Sequence, residues 1–424
     1  MIGKKLKGTL VIVVSLIFLS LMARPLWTNQ YWPEGYYNHK YNDNSDTVKE
    51  TENSNEEESE DLEEEIITPE ETKSEEATTV AIATKEQTIP EKSSFGLDYY
   101  NQLTDKQKRA YTQIKEGCEK YQEKISFDAV EVKDYEIVLY ALKCDHPEFY
   151  WLNYSGKYMQ KNKKVYKHIF KFDDDPKITS EKIKAEANTI VEKVNKEKST
   201  YDKIRCIHNE LIKLVKYKRN KRDQEIRSVF LDKETVCNGY AEAFLYLCKL
   251  CNINCGYARG RSLNESHAWN IVEINGKYFW VDVTWDGSDS NDNNRDKLNY
   301  VYFCVSDKRF KKTHKLATGI DVKGSENIVK FSYPKCLSDK YNYYRKIGGY
   351  FNNYNKKDIK KYIKNKVANS NTVELMFKSK DDYQKAKRDL CTGTVLWDMM
   401  RDDIQSYKYI NDDKNYYLMF IIKK

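Results

Sequence analysis

The sequence predicts an α+β fold, and three observations carry that expectation. Four stretches repeat apolar residues at helical spacing: Tyr111, Ile114 and Cys118; Ile183, Ala187, Ile190 and Val194; Ile204, Ile207, Leu211 and Val215; and Ala241, Phe244, Cys248 and Cys251. Asn275-Gly276 lies between two runs rich in β-formers, the strongest short signal for a two-residue hairpin loop. The C-terminal part reads as a strand (371-NTVELMFK-378), one or two helices within 382–405 and a second strand (416-YYLMFIIKK-424), a small α+β module.

In chain order, Lys4, Lys5 and Lys7 precede the uncharged apolar run 8-GTLVIVVSLIFLSLMA-23. Residues 1–27 are therefore expected to be a signal anchor or signal peptide. Leu21-Met22-Ala23 is a poor small-x-small cleavage site, which favours the anchor. With the lysines inside, the rest of the chain would lie outside the cytoplasm, or be secreted if the leader is cut. Residues 28–95 read as a disordered acidic linker. Between Tyr41 and Phe95 there are 18 acidic and 4 basic residues, and residues 42–94, with the dense acidic block 56-EEESEDLEEE-65, contain no aromatic residue to build a core.

The net charge of +7 thus conceals a strongly basic body. Such a body suits anionic surroundings, such as a cell-wall polymer or membrane headgroups; no nucleic-acid motif is present, so no nucleic-acid partner is expected. The basic run 355-NKKDIKKYIKNK-366 reads as a solvated helix face. Folded sequence is expected from near Phe95. An N-terminal accessory region (96–175) opens on a capping-box pattern at Thr104-x-x-Gln107 and includes 144-CDHPEFYWL-152, read as a turn and a strand. A catalytic domain (176–325) and a C-terminal module (326–424) follow.

The chemistry lies in the middle of the chain. If Asn275-Gly276 is the loop, Ile274 faces Lys277, Trp269 faces Asp282 and His267 faces Thr284. His267 and Asp282 then share a face as diagonal neighbours, where a carboxylate can accept the imidazole N–H, fix its tautomer and stabilise the imidazolium. A one-residue slip would put them on opposite faces. Cys237 stands immediately before an apolar helical stripe, at the cap or in the first turn. There the unpaired N–H groups and the positive end of the helix dipole favour a thiolate and offer donors to an oxyanion. A serine or aspartate would cap the helix better, so the thiol is expected to be there because it reacts.

The blocks 235-TVCNGYAEAFLYLCKLCNI-253, 256-GYARGR-261 and 267-HAWNIVEINGKYFWVDVTWD-286 resemble, in order and context, the transglutaminase-like superfamily within the wider papain-like group. The resemblance covers roughly residues 200–290. It implies a helix packed on an antiparallel sheet, with Cys237 as nucleophile, His267 as general base and Asp282 as its orienter. Trp269, Trp285 and Tyr217 are candidate substrate-binding residues, Tyr217 also as a side-chain oxyanion donor. The segment 145-DHPEFYWL-152 is similar to segments that precede this domain in bacterial surface members.

The expected activity is that of a membrane-anchored thiol enzyme acting on peptide or carboxamide bonds of a protein or peptide substrate. Hydrolysis is placed slightly ahead of cross-linking, and the alternative is a non-catalytic surface adaptor that binds peptide or glycan. No cofactor or metal is expected. Cys248, Cys251 and Cys255 partly follow a helix face and lack a fourth ligand, and 288-SDSNDNNRD-296 lacks the regular ligand spacing of a calcium loop. His208, on an apolar stripe, reads as a core histidine.

Overall fold

The computed structural model describes residues 11–14 and 97–423, except 154–156, 264, 288–297, 318, 320–328, 392–394, 400–403 and 405. The acidic linker, the rest of the apolar leader and the polar stretch 288–296 lie outside the described residues.

The N-terminal region is built on an antiparallel sheet with the order β1-β3-β4-β2. Its strands are β1 (Val11–Val14), β2 (Lys124–Glu131), β3 (Lys157–Lys161) and β4 (Lys164–Ile169). Strand β1 is the described part of the leader and runs along the edge of β3, Val11 opposite Gln160. Helix α1 (Asp105–Glu119) starts at the predicted capping box. The Thr104 hydroxyl accepts the Gln107 N–H, and the Gln107 side chain accepts the Thr104 N–H.

Helix α2 (Val132–Asp145) runs into the stretch expected as a turn and strand. There the structure corrects the sequence reading: 150–153 is a 3-10 turn. Phe149, Tyr150, Trp151 and Leu152 are all buried. Asp145, at the end of α2, ties that helix to the start of the folded chain and to α1. Its carboxylate accepts the backbone N–H groups of Tyr99 at 2.8 Å and Tyr100 at 2.9 Å and the Tyr111 hydroxyl at 3.0 Å. Its carbonyl accepts the Lys249 ammonium.

The central unit begins with α3 (Pro176–Val194) and α4 (Thr200–Leu214), capped by Asp175 and Ser199. Strand β5 (Lys216–Tyr217) runs parallel to β6 (Glu234–Thr235). Helix α5 (Cys237–Leu250) follows, then β7 (Cys255–Ser262), β8 (Glu265–Ile274), β9 (Lys277–Val281), α6 (Val283–Gly287), α7 (Asp307–Phe310) and β10 (His314–Leu316). The sheet order is β10-β7-β8-β9, antiparallel throughout. Helix α5 lies across it, and the Asn270 amide donates to the Ala241 carbonyl at 3.0 Å. The fold is therefore the expected α+β type, with a helix on an antiparallel sheet.

The hairpin has the predicted register. Ile274 pairs with Lys277, and pairing continues to Asn270 with Val281. Asn275 and Gly276 have φ of 51° and 72°, as a two-residue type I′ loop requires. Pairing ends sooner than expected, so His267 does not face Thr284. The Asp282 N–H turns away to the Tyr302 carbonyl, and the chain winds into α6.

The C-terminal module contains α8 (Tyr343–Lys346), β11 (Tyr350–Phe351), α9 (Lys356–Asn369), β12 (Thr372–Phe377), α10 (Lys380–Cys391), α11 (Val395–Met399), β13 (Ser406–Asp412) and β14 (Tyr417–Lys423). Its sheet runs β11-β12-β14-β13, with β11 and β12 parallel. Ile359, Ile363 and Val367 on α9 bury against this sheet, which leaves the lysines of the basic run on the outside, as predicted.

Candidate active site

The site grows from the start of α5. Val236 makes no capping side-chain bond, and Cys237 is the first helical residue, partly exposed. The turn that presents it is fixed from several sides. The Asn238 amide donates to the Gln224 carbonyl at 2.7 Å and to Glu242 Oε1 at 2.8 Å, and its oxygen accepts the Tyr257 hydroxyl.

Gly239 packs so closely that a Cβ there would lie 2.0 Å from Thr235 Oγ1 and 3.1 Å from Ser228 Oγ. Thr235 Oγ1 has little room to yield, since it bonds Ser228 Oγ at 2.5 Å and the Asp223 carbonyl at 3.0 Å. Gly239→Ala is therefore expected to cost about 1–3 kcal/mol of stability, as overpacking does, and to shift the Cys237 turn. Thermal denaturation alongside the alkylation rate of Cys237 would check this; an unchanged Tm and rate would refute the tight fit.

His267 comes from β8 and Asp282 from the residue after β9. Imidazole Nε2 lies 2.6 Å from Asp282 Oδ2. The Cys237 thiol lies beside the same ring and favours its charged form. With Nε2 directed at the carboxylate, Nδ1 is the ring nitrogen left for the sulfur. The structure thus brings together Cys237, His267 and Asp282, the three residues the sequence singled out. Burial opposes charge on His267, but the Asp282 carboxylate outweighs it and pushes the imidazole pKa up to about 10. Asp282 is fully buried, and despite that its carboxyl is held well below the usual range by His267 and by a second histidine, His314. The carboxylate is ionised and accepts from three donors: His267, His314 Nε2 at 2.9 Å, also to Oδ2, and the Trp285 N–H at 3.1 Å to Oδ1.

The other candidates fall in different places. Tyr217, half-buried on β5, pairs with Thr235 two residues before Cys237. Burial raises its pKa, and the nearby Cys237 raises it further. Trp269 and Trp285 are only 1% and 2% exposed, so neither presents a surface to a substrate. They wall the imidazole instead, their ring centroids 5.8 Å and 6.2 Å from that of His267. This apolar box sharpens the electrostatics of the ion pair inside it.

Sequence reasoning missed His314. It also left out the pair beneath the site, in which His208 Nε2 meets Asp286 Oδ2 at 3.1 Å, both side chains fully buried. Burial raises the Asp286 pKa to about 6. Asp286 also accepts the Tyr302 N–H at 2.9 Å, and Tyr302 accepts the Asp282 N–H, so the pair braces the turn that carries Asp282. His267, Asp282 and His314 place one potential ligand atom each within 4.8 Å of one another. Both Nε2 atoms are engaged with Oδ2, and hydrogen bonding accounts for the convergence.

A thiol at a helix N-terminus, an imidazole on a central strand and a carboxylate at the end of the next define the class: a papain-like thiol-enzyme fold. Residues 188–285 match the transglutaminase-like superfamily. Human kyphoscoliosis peptidase is 28% identical over 109 residues, which cover 23% of this chain and 16% of that protein. The mouse protein is 33% identical over 82 residues, 16% of this chain and 12% of that protein. The chain thus spans under one fifth of the length of these curated relatives.

Among solved structures, a TGase gives a TM-score of 0.23 at 13% identity, covering 31% of this chain and 43% of that one. The periplasmic domain of TgpA from Pseudomonas aeruginosa gives 0.21 at 11%, covering 35% of this chain and 64% of that one.

Proposed function

We propose that this chain is a cysteine hydrolase that cleaves peptide or carboxamide bonds in a protein or peptide substrate. The observation that supports this best is the linked arrangement of Cys237, His267 and a triply bonded Asp282, in which Oδ2 orients and charges the imidazole while Oδ1 is held by the Trp285 N–H. An inert core would gain nothing from burying an ionised carboxylate under an imidazolium beside a thiol.

In this reading His267 already holds the thiol's proton on Nδ1, as an imidazolium facing a Cys237 thiolate, and Sγ attacks the carbonyl carbon. The backbone N–H groups at the start of α5, with the Tyr217 hydroxyl, stabilise the developing oxyanion. The C–N bond breaks as His267 returns the proton to the leaving amine, and a thioester remains. Water, deprotonated by His267, attacks the thioester; the acid departs and the thiol is restored. An amine in place of water would make the same site a transamidase.

The apolar leader with its lysine flank supports a location outside the cytoplasm, tethered through the N-terminus. Among the described residues, no helix is long and apolar enough to cross a membrane. Purified full chain is to be screened against a peptide library and against glutamine-donor with amine-acceptor pairs, with Cys237→Ala as control. Peptide or amide cleavage that Cys237→Ala lacks is the expected result. Amine incorporation without cleavage would overturn hydrolysis in favour of cross-linking. Equal phenotypes of wild type and Cys237→Ala in cells would favour an adaptor.

A further inference from the structure

We propose that His314 is a positioning residue of the Cys237 site, a second imidazole that locks the Asp282 carboxylate so that His267 can present only one nitrogen to the sulfur. The inference rests on the thiol-enzyme reading and adds a residue to it.

The proton positions follow from the acceptor. Asp282 is ionised and has no proton to give, so each nitrogen within hydrogen-bond distance of its Oδ2 carries a hydrogen. His267 and His314 therefore both donate through Nε2–H. The two rings differ in charge. Burial holds the His314 pKa below the usual histidine value, and the neighbouring charge of His267 lowers it further, although Asp282 and the Phe310 carbonyl pull the other way. His314 is thus a neutral donor with the hydrogen on Nε2, and its Nδ1 is free to accept the Thr313 hydroxyl at 2.9 Å.

Its own freedom is small. The ring is fully buried, stacks on Phe310 with centroids 3.9 Å apart, and meets Tyr302 and Trp269 edge-on at 5.1 and 5.2 Å. Strand β10 reaches this depth because β7 offers a glycine. A Cβ on Gly260 would lie 2.1 Å from the Lys315 carbonyl oxygen, so any other residue there would push the strand outward.

A carboxylate with a single histidine partner can pivot about its Cβ–Cγ bond and carry the imidazole with it. Here Oδ2 is held between two N–H groups and Oδ1 by the Trp285 N–H, so the pivot is blocked. The imidazole plane then stays fixed, with Nδ1 toward Cys237.

The test uses iodoacetamide on the full chain, with the modified residue located by peptide mapping. Wild-type Cys237 is expected to react selectively at pH 6 in a His267-dependent way. His314→Ala is expected to slow this about tenfold, the effect of losing one hydrogen bond to a charged group, and His314→Gln, whose amide can donate from a similar position, to recover most of the rate. A structural role alone would not be rescued by the donor. In parallel, the wild-type protein with nitrogen-15 histidine is expected to show His314 as the neutral Nε2–H tautomer, a measurement that stands even if the alanine variant does not fold. A His314→Ala rate equal to wild type, or an Nδ1–H tautomer at His314, overturns the inference alone. Wild-type Cys237 reacting no faster than the other thiols, or unaffected by His267→Ala, overturns the enzyme reading and this inference with it.

Discussion

Iodoacetamide at mildly acidic pH is expected to modify Cys237 before the other nine cysteines, and His267→Ala is expected to slow that reaction about 100-fold, the scale of losing a positioned acid–base partner. The contrast among thiols is built into the fold. Burial pushes Cys118, Cys144 and Cys391 up to about 12 and Cys251 to about 11, and also raises Cys206, Cys248, Cys304 and Cys336. Cys237 instead has an imidazolium beside it and a helix N-terminus beneath it.

The pH dependence has a definite sign. A histidine whose folded pKa of about 10 exceeds the ordinary 6.5 keeps its charge through neutral pH. Its pairing with Asp282 contributes stability that is complete below 6.5 and is lost as pH rises toward about 10. Urea denaturation of wild type and His267→Gln across this range should therefore converge at the alkaline end. A difference that grows with pH would contradict the ion pair.

Asp282→Asn is expected to abolish most activity, by about three orders of magnitude or more, although the substitution is nearly isosteric. Other thiol enzymes of papain-like fold use asparagine to orient their histidine, so the reason has to come from this site. Oδ2 receives two imidazole N–H groups and Oδ1 receives the Trp285 N–H. An asparagine has one oxygen. If it faces the imidazoles, the NH₂ confronts the Trp285 N–H; if it faces Trp285, the NH₂ confronts both imidazoles. Either way two buried donors meet, and the imidazolium loses its counter-charge. Turnover by Asp282→Asn on any substrate found for the wild type measures this, and retention of a tenth or more of the wild-type rate would show that orientation without charge is enough.

The parts legible in the sequence were those fixed by local chemistry. The Asn275-Gly276 loop dictates its own turn, the turn dictates the register, and the register sets His267 and Asp282 within reach. The start of α5 at Cys237 was equally readable, because an apolar stripe begins directly after it. His314 was not readable. It sits on a three-residue strand in 309-RFKKTHKL-316, with no alternation to mark it, and reaches Asp282 only through a tertiary pairing of β10 with β7. The roles of Trp269 and Trp285 were misjudged because sequence gives the ring and not the side from which it approaches the imidazole. The strand expected at 144–152 failed because the chain winds into a 3-10 turn at 150–153, with Phe149, Tyr150, Trp151 and Leu152 all buried, a matter of where the neighbours lie.

The apolar interior is divided unevenly along the chain. One continuous cluster runs from Leu97 beneath the accessory helices, under α5 and the hairpin, and out to Tyr344, Met376 and Tyr417; a second, separate cluster lies within the C-terminal module. An excised fragment of 176–325 would present to water the oily underside that the first 80 or so folded residues normally cover, and would aggregate before it could act. The boundary that looks natural in the sequence is a seam in the middle of one solvent-free body, so exchanging the accessory region between relatives would mean re-fitting that whole contact.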